Sequence, residues 1–149
     1  METPIRELLR GDPPVPVAPG APVAEAVALM RERGWTSIVV SDRDDVVGIF
    51  TEKDYLSRVC GQNLSLTDTR MVDVMTPAPE ALSPHDDVAY AVNLMATGSL
   101  RSIPIVNDTG GLMAVLTAAD VMRHLDDVFH DKEAAPDSVD QWRDIGGDG

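Results

Sequence analysis

The sequence predicts an α/β (α+β) protein made of one β-α-β-β-α unit written twice, and three observations carry that prediction. The stretch Gly48-Ile49-Phe50-Thr51-Glu52-Lys53-Asp54 returns as Ala114-Val115-Leu116-Thr117-Ala118-Ala119-Asp120, each time an apolar strand running into a Thr-x-x-Asp helix start. The two threonines lie 66 positions apart (117 − 51), and so do the two aspartates (120 − 54). Upstream, Glu25-Ala26-Val27-Ala28-Leu29-Met30 lies over Tyr90-Ala91-Val92-Asn93-Leu94-Met95 with a displacement of 65 (90 − 25).

Each element has a local reason. Ile5, Leu8 and Leu9 form a short apolar group before Gly11-Asp12-Pro13-Pro14 sends the backbone into an extended Val15-Pro16-Val17 segment. From Ala21 to Arg33 the apolar positions Val23, Ala26, Val27 and Met30 follow helical spacing, and Gly34 stops the helix. Ser37-Ile38-Val39-Val40 and Val46-Val47-Gly48-Ile49-Phe50 read as strands around the polar turn Ser41–Asp45, an antiparallel hairpin. Thr51 opens the next helix, with Tyr55, Leu56 and Val59 on its apolar face.

Residues 61–70 lose periodicity and read as a linker. The second pass begins at Val72-Asp73-Val74-Met75-Thr76-Pro77, followed by a helix whose buried stripe is Val88, Ala91, Val92 and Met95. Ile103-Pro104-Ile105-Val106 and Leu112-Met113-Ala114-Val115-Leu116 repeat the hairpin with one extra residue, and Thr117 to Leu125 closes the copy. The units are therefore set at 3–60 and 71–127. Residues 128–149 are acidic and poor in apolar side chains, which predicts a flexible tail in which Trp142 and Ile145 are the exceptions.

Composition narrows the function. A formal net charge of −13 argues against broad nucleic-acid binding, which depends on clustered Lys and Arg. No apolar run is long enough to span a bilayer, and the amino end lacks the regions of a signal peptide, so the expectation is a cytoplasmic protein without membrane contact. The single Cys60 allows no internal disulfide. His85, His124 and His130 show no metal-site spacing, and the paired acids Asp44-Asp45, Asp86-Asp87 and Asp126-Asp127 read as solvated surface. No catalytic constellation is visible, so neither an enzyme nor a required cofactor is expected.

Asp73-Val74-Met75-Thr76-Pro77, Ala91-Val92-x-Leu94-Met95, Ile103-Pro104-Ile105-Val106 and the strand-Thr-x-x-Asp ending together resemble a cystathionine β-synthase (CBS) domain, and the first copy is similar. The resemblance covers roughly residues 3–127. It implies a tandem pair, or Bateman module, packed sheet against sheet about a pseudo-twofold axis. It further implies clefts that bind an adenosine-containing ligand such as AMP, ADP, ATP or S-adenosylmethionine, and a homodimer.

The residues suit that chemistry in two ways. Thr51 and Thr117 with Asp54 and Asp120 form helix caps, and that alone explains the motif. Alternatively, a free helix start receives a phosphate, the hydroxyl adds a hydrogen bond and the carboxylate accepts a ribose diol, as the resemblance implies. Arg101, within Leu100-Arg101-Ser102-Ile103-Pro104, is either a solvated arginine paired with one of the many acids or, as the resemblance implies, the cation that meets a phosphate; the first copy has Trp35-Thr36-Ser37-Ile38 there, without a charge, so the clefts should differ. Trp35 either stacks on an adenine or fills the core. Lys53 is an exposed helix lysine or a phosphate contact, and Ala114 in place of Gly48 predicts a tighter ligand approach in the second copy. The leading expectation is a non-catalytic adenosyl-ligand sensor; its rival is a ligand-free dimeric scaffold acting on a protein partner through its surface or Trp142.

Overall fold

The computed structural model describes residues 2–10, 13–98 and 100–133; the predicted tail contacts of Trp142 and Ile145 lie outside the described residues. A 3-10 turn, Ile5–Leu8, precedes helix α1 (Val23–Arg33) and strands β1 (Ser37–Asp42) and β2 (Asp45–Thr51). A single helical turn, α2 (Glu52–Asp54), continues into a π-helix over Tyr55–Cys60. The second pass supplies α3 (Met71–Val74), β3 (Thr76–Pro77), α4 (Val88–Gly98), β4 (Ser102–Val106), β5 (Leu112–Thr117) and α5 (Ala118–Glu133).

The mixed α/β class and the duplication are both present. β1 pairs antiparallel with β2 from Ser37↔Thr51, and β4 with β5 from Ser102↔Thr117. Each ladder shifts register once, between Val40 and Ser41 and between Ile105 and Val106, so even the irregularity recurs 65 positions on. Gly34 ends α1 at φ 68 with its N–H on the Met30 carbonyl, a left-handed stop that a side chain would strain. One extended residue joins each hairpin as a parallel bridge: Val17 to Val40, and Leu82 to Ile105.

The two passes exchange their leading segments. Ile5 and Leu8, from the start of the chain, are buried in the core of Val88, Ala91, Ile103, Ile105, Leu116 and Val121. Met71, Val74 and Met75, from the start of the second pass, are buried in the core of Val23, Ala26, Met30, Ile38 and Phe50. The backbone repeats the exchange: Ile5 N–H donates to Asp86 O and Arg6 N–H to Pro84 O, while Met71 N–H donates to Ala21 O and Val72 N–H to Pro19 O, all at 2.9 Å. β3 accordingly adds to the first sheet beside β2, giving the order β1-β2-β3, whereas β4-β5 has two strands. The core of each sequence unit is thus completed by the leading segment of the other.

Several expectations are corrected. Val92 is 41% exposed rather than buried: Val88 and Ala91 take the core side of α4, and Val92 lies one position round from Ala91. Leu56 is 64% exposed: Tyr55 and Val59 take the core side of the π-helix, and Leu56 lies one position round from Tyr55. Leu29 and Leu94, outside the predicted buried stripes, are half-buried against the two cores. Helix α5 does not end at Leu125 but runs to Glu133, so residues 128–133 are helical rather than tail. Val128 and Phe129 extend the helical spacing of Val121 and Leu125 through those extra turns. Among the described residues no helix is long and apolar enough to cross a membrane.

Candidate functional site

Where β2 and β5 end, the chain twice turns from strand into helix, and the sequence motif explains how. At the first turn Thr51 Oγ1 accepts from Asp54 N–H at 3.2 Å while Asp54 Oδ2 accepts from Thr51 N–H at 3.0 Å. At the second, Thr117 Oγ1 accepts from Asp120 N–H at 3.1 Å and Asp120 Oδ2 from Thr117 N–H at 2.9 Å. Each pair is a reciprocal cap that satisfies two otherwise orphaned donors. The following amides tie the caps to the opposite end of each hairpin: Glu52 N–H donates to Thr36 O at 3.1 Å and Ala118 N–H to Arg101 O at 2.8 Å.

The repeats meet along these ends. Ser37 Oγ donates to Ser102 Oγ at 3.0 Å, and both serines are buried. A cleft of about 930 Å³ opens around this contact, at the upper end of the roughly 300–1,000 Å³ typical of ligand pockets. Trp35, Thr36, Ser37, Ile38, Thr51 and Asp54 line it from the first repeat, and Arg101, Ser102, Thr117 and Asp120 from the second. Ile103 and Pro104 are not on its wall; Ile103 is fully buried in the second core and Pro104 is buried within β4.

The two carboxylates are held differently. Asp54 receives the Thr76 hydroxyl at 3.3 Å on Oδ1 and 3.4 Å on Oδ2, with Arg58 Nε 3.7 Å from Oδ1. Arg58 is anchored in turn, donating from Nη1 to Met75 O at 2.7 Å and Val74 O at 3.3 Å. Asp120 Oδ1 lies 3.2 Å from Arg123 Nη1, on a side chain 48% exposed. Arg101 is exposed on the cleft wall, and among the described residues its guanidinium has neither a hydrogen bond nor an ion pair. Next to Asp54, the Tyr55 hydroxyl is pushed above its ordinary range, first because its neutral form donates a hydrogen bond to the Cys60 sulfur and then by the charge that thiol carries when ionised.

Trp35 serves two masters. It packs against the first core and lines the cleft, and the Arg33 guanidinium carbon sits 5.6 Å from the ring centroid. Gly48 answers a different demand from the one expected of it. A Cβ there would collide with the sulfur of Met75, so the glycine makes room for the exchanged segment. Among the wall residues that escaped the motif reading, Arg10 and Thr76 correspond across the repeat (76 − 10 = 66). The signal was present in the Met75-Thr76-Pro77 stretch, but its spatial neighbour could not be read without the exchange.

This architecture, two reciprocally laced hairpin units around one cleft, is that of a tandem CBS pair. The sequence profile of the CBS domain matches residues 3–61 and 71–127, and the chain belongs to that family. CBS domain-containing protein CBSCBSPB3 of Arabidopsis thaliana is 38% identical over 98 residues, 66% of this chain and 18% of that protein. CBSCBSPB2 of the same plant is 34% identical over 100 residues, 67% of this chain and 19% of that protein. The chain therefore spans about a fifth of the length of these two curated relatives. Among solved structures, the CBS-domain containing protein ATU1752 from Agrobacterium tumefaciens is 26% identical with a TM-score of 0.74, covering 82% of this chain and 98% of that one. The CBS domain protein PAE2072 from Pyrobaculum aerophilum, complexed with AMP, is 26% identical with a TM-score of 0.73, covering 79% of this chain and 89% of that one.

Proposed function

We propose that this protein is a non-catalytic regulatory module that takes an adenosine-containing ligand, such as AMP, ADP, ATP or S-adenosylmethionine, into the cleft between its repeats. The observation that carries the reading is the wall of that cleft, where two Thr-and-Asp helix starts and Arg101, which has no ion-pair partner among the described residues, line a space large enough for a nucleotide. A carboxylate accepts a vicinal diol, a threonine hydroxyl and amide N–H groups suit phosphate oxygens, and a guanidinium supplies charge. The AMP complex of PAE2072 supports the same choice of ligand. A ligand bridging the repeats acts as a signal if it binds one arrangement of them better than another.

Calorimetric titration with the four ligands tests this, alongside Asp54→Ala and Asp120→Ala. Binding that at least one aspartate variant weakens by tenfold or more is expected. No heat from any ligand, or affinities untouched by both substitutions, would remove the reading. A specific observation favours a second role, as a dimeric scaffold: Leu56 and Met122, equivalent across the repeat (122 − 56 = 66), are 64% and 65% exposed, and Tyr90 is 63% exposed. Apolar side chains at pseudo-twofold-related positions suit a symmetric partner, a second copy of this chain.

A further inference from the structure

The two ends of the cleft hold their aspartates in unlike states, and the difference ranks them for ligands. Resting on the adenosine reading above, we infer that a nucleoside monophosphate fills the Asp120 end first, and that Thr76, lent to the first repeat by the second, keeps the Asp54 end at lower affinity.

Three features support this ranking. The ribose acceptor at Asp54 is already in use: its oxygens receive the Thr51 amide, the Thr76 hydroxyl and the Arg58 guanidinium, and the residue is 7% exposed. Arg58 is fixed there by its bonds to the Val74 and Met75 carbonyls, so a diol arriving at Asp54 must displace the Thr76 hydroxyl. That hydroxyl is shared between the two oxygens at 3.3 and 3.4 Å, longer than an ideal O–H···O bond, so it yields to a ligand but at a penalty.

At the Asp120 end the position equivalent to Thr76 is Arg10, which pairs with Asp127 at 3.7 Å instead of with Asp120. Asp120 keeps only its own helix start and Arg123, for which Asp120 is the single ion-pair partner among the described residues. Charge points the same way. Beside Thr117 stand Ala118 and Ala119, with Arg101 joined to Ala118 through its backbone carbonyl and its guanidinium without a hydrogen bond or ion pair among the described residues, whereas beside Thr51 the cation Lys53 has the acid Glu52 as its neighbour. A phosphate dianion thus meets that guanidinium at one end and a lysine beside an acid at the other.

Titration of the full chain with AMP and with adenosine, each in the parent, Asp54→Asn, Asp120→Asn, Thr76→Val, Thr76→Ser and Arg101→Gln, tests the ranking. The parent should bind AMP in a tight and a weak phase. Asp120→Asn should abolish the tight phase and Asp54→Asn the weak one. Thr76→Val keeps the strand-compatible shape but removes the hydroxyl, and should strengthen the weak phase about tenfold, the worth of one net hydrogen bond to a charged group. Thr76→Ser should behave as the parent, which a purely structural role for the side chain would not require. Arg101→Gln should narrow the preference for AMP over adenosine. Two equal phases, loss of the tight phase in Asp54→Asn, or a weak phase unmoved by Thr76→Val would overturn the ranking and leave the adenosine reading standing. Absence of binding by the parent would overturn both.

Discussion

Ser37 hydrogen-bonds Ser102, its own image 65 residues on, so the pseudo-twofold axis passes between two hydroxyls. Both are buried, and removing one strands the other away from water. Ser37→Ala should therefore destabilise the protein by about 1–3 kcal/mol in urea unfolding, and the double substitution Ser37→Ala with Ser102→Ala by less than the sum of the singles. A strictly additive pair would show that the bond contributes nothing. Gly48 is the second residue whose role is steric: Gly48→Ala drives a methyl group into Met75 and should cost about 1–3 kcal/mol in thermal melts. Trimming Met75 to Ala in the same chain should recover part of the loss. The caps were legible from the sequence because their chemistry is local: a hydroxyl and a carboxylate three residues apart act on their own backbone. Thr76 was not, because it reaches Asp54 from 22 residues away across an exchanged strand.

Among the elements, the exchanged segments determine which core each substitution weakens. Ile5 is fully buried, yet every buried residue it clusters with, apart from Leu8, belongs to the second pass. Ile5→Ala should cost about 2–5 kcal/mol. In native-state hydrogen exchange, β4 and β5 should lose protection more than β1 and β2; the opposite order would contradict the exchange. The helices show how far periodicity reaches. It placed Val23, Ala26, Val88 and Ala91 on buried faces, because spacing along one helix is a property of that helix. It misplaced Val92 and Leu56, because which of two adjacent apolar residues claims the core is decided by what packs over the helix. It also stopped α5 too early, at Leu125, although Val128 and Phe129 continue the apolar spacing.

For the whole molecule, duplication was visible as two offsets, 65 and 66, and the extra residue lies in the second hairpin. Reciprocity was not, since a pattern of apolar residues says what is buried and not which half buries it. The exposed pair Leu56 and Met122 belongs to this scale as well. If a second copy covers them, light scattering should give twice the 16.0 kDa chain mass at micromolar concentration, and Leu56→Ser with Met122→Ser should return it to the single value. A parent that already scatters as one chain would exclude that assembly.

Reciprocal lacing has a consequence for anyone who would take the protein apart. Scissors placed between Cys60 and Met71 produce two pieces, each carrying the plug that belongs in the other's socket. Alone, either fragment leaves an apolar hole where its visitor sat; mixed in equal amounts, they hold what is needed to rebuild one another.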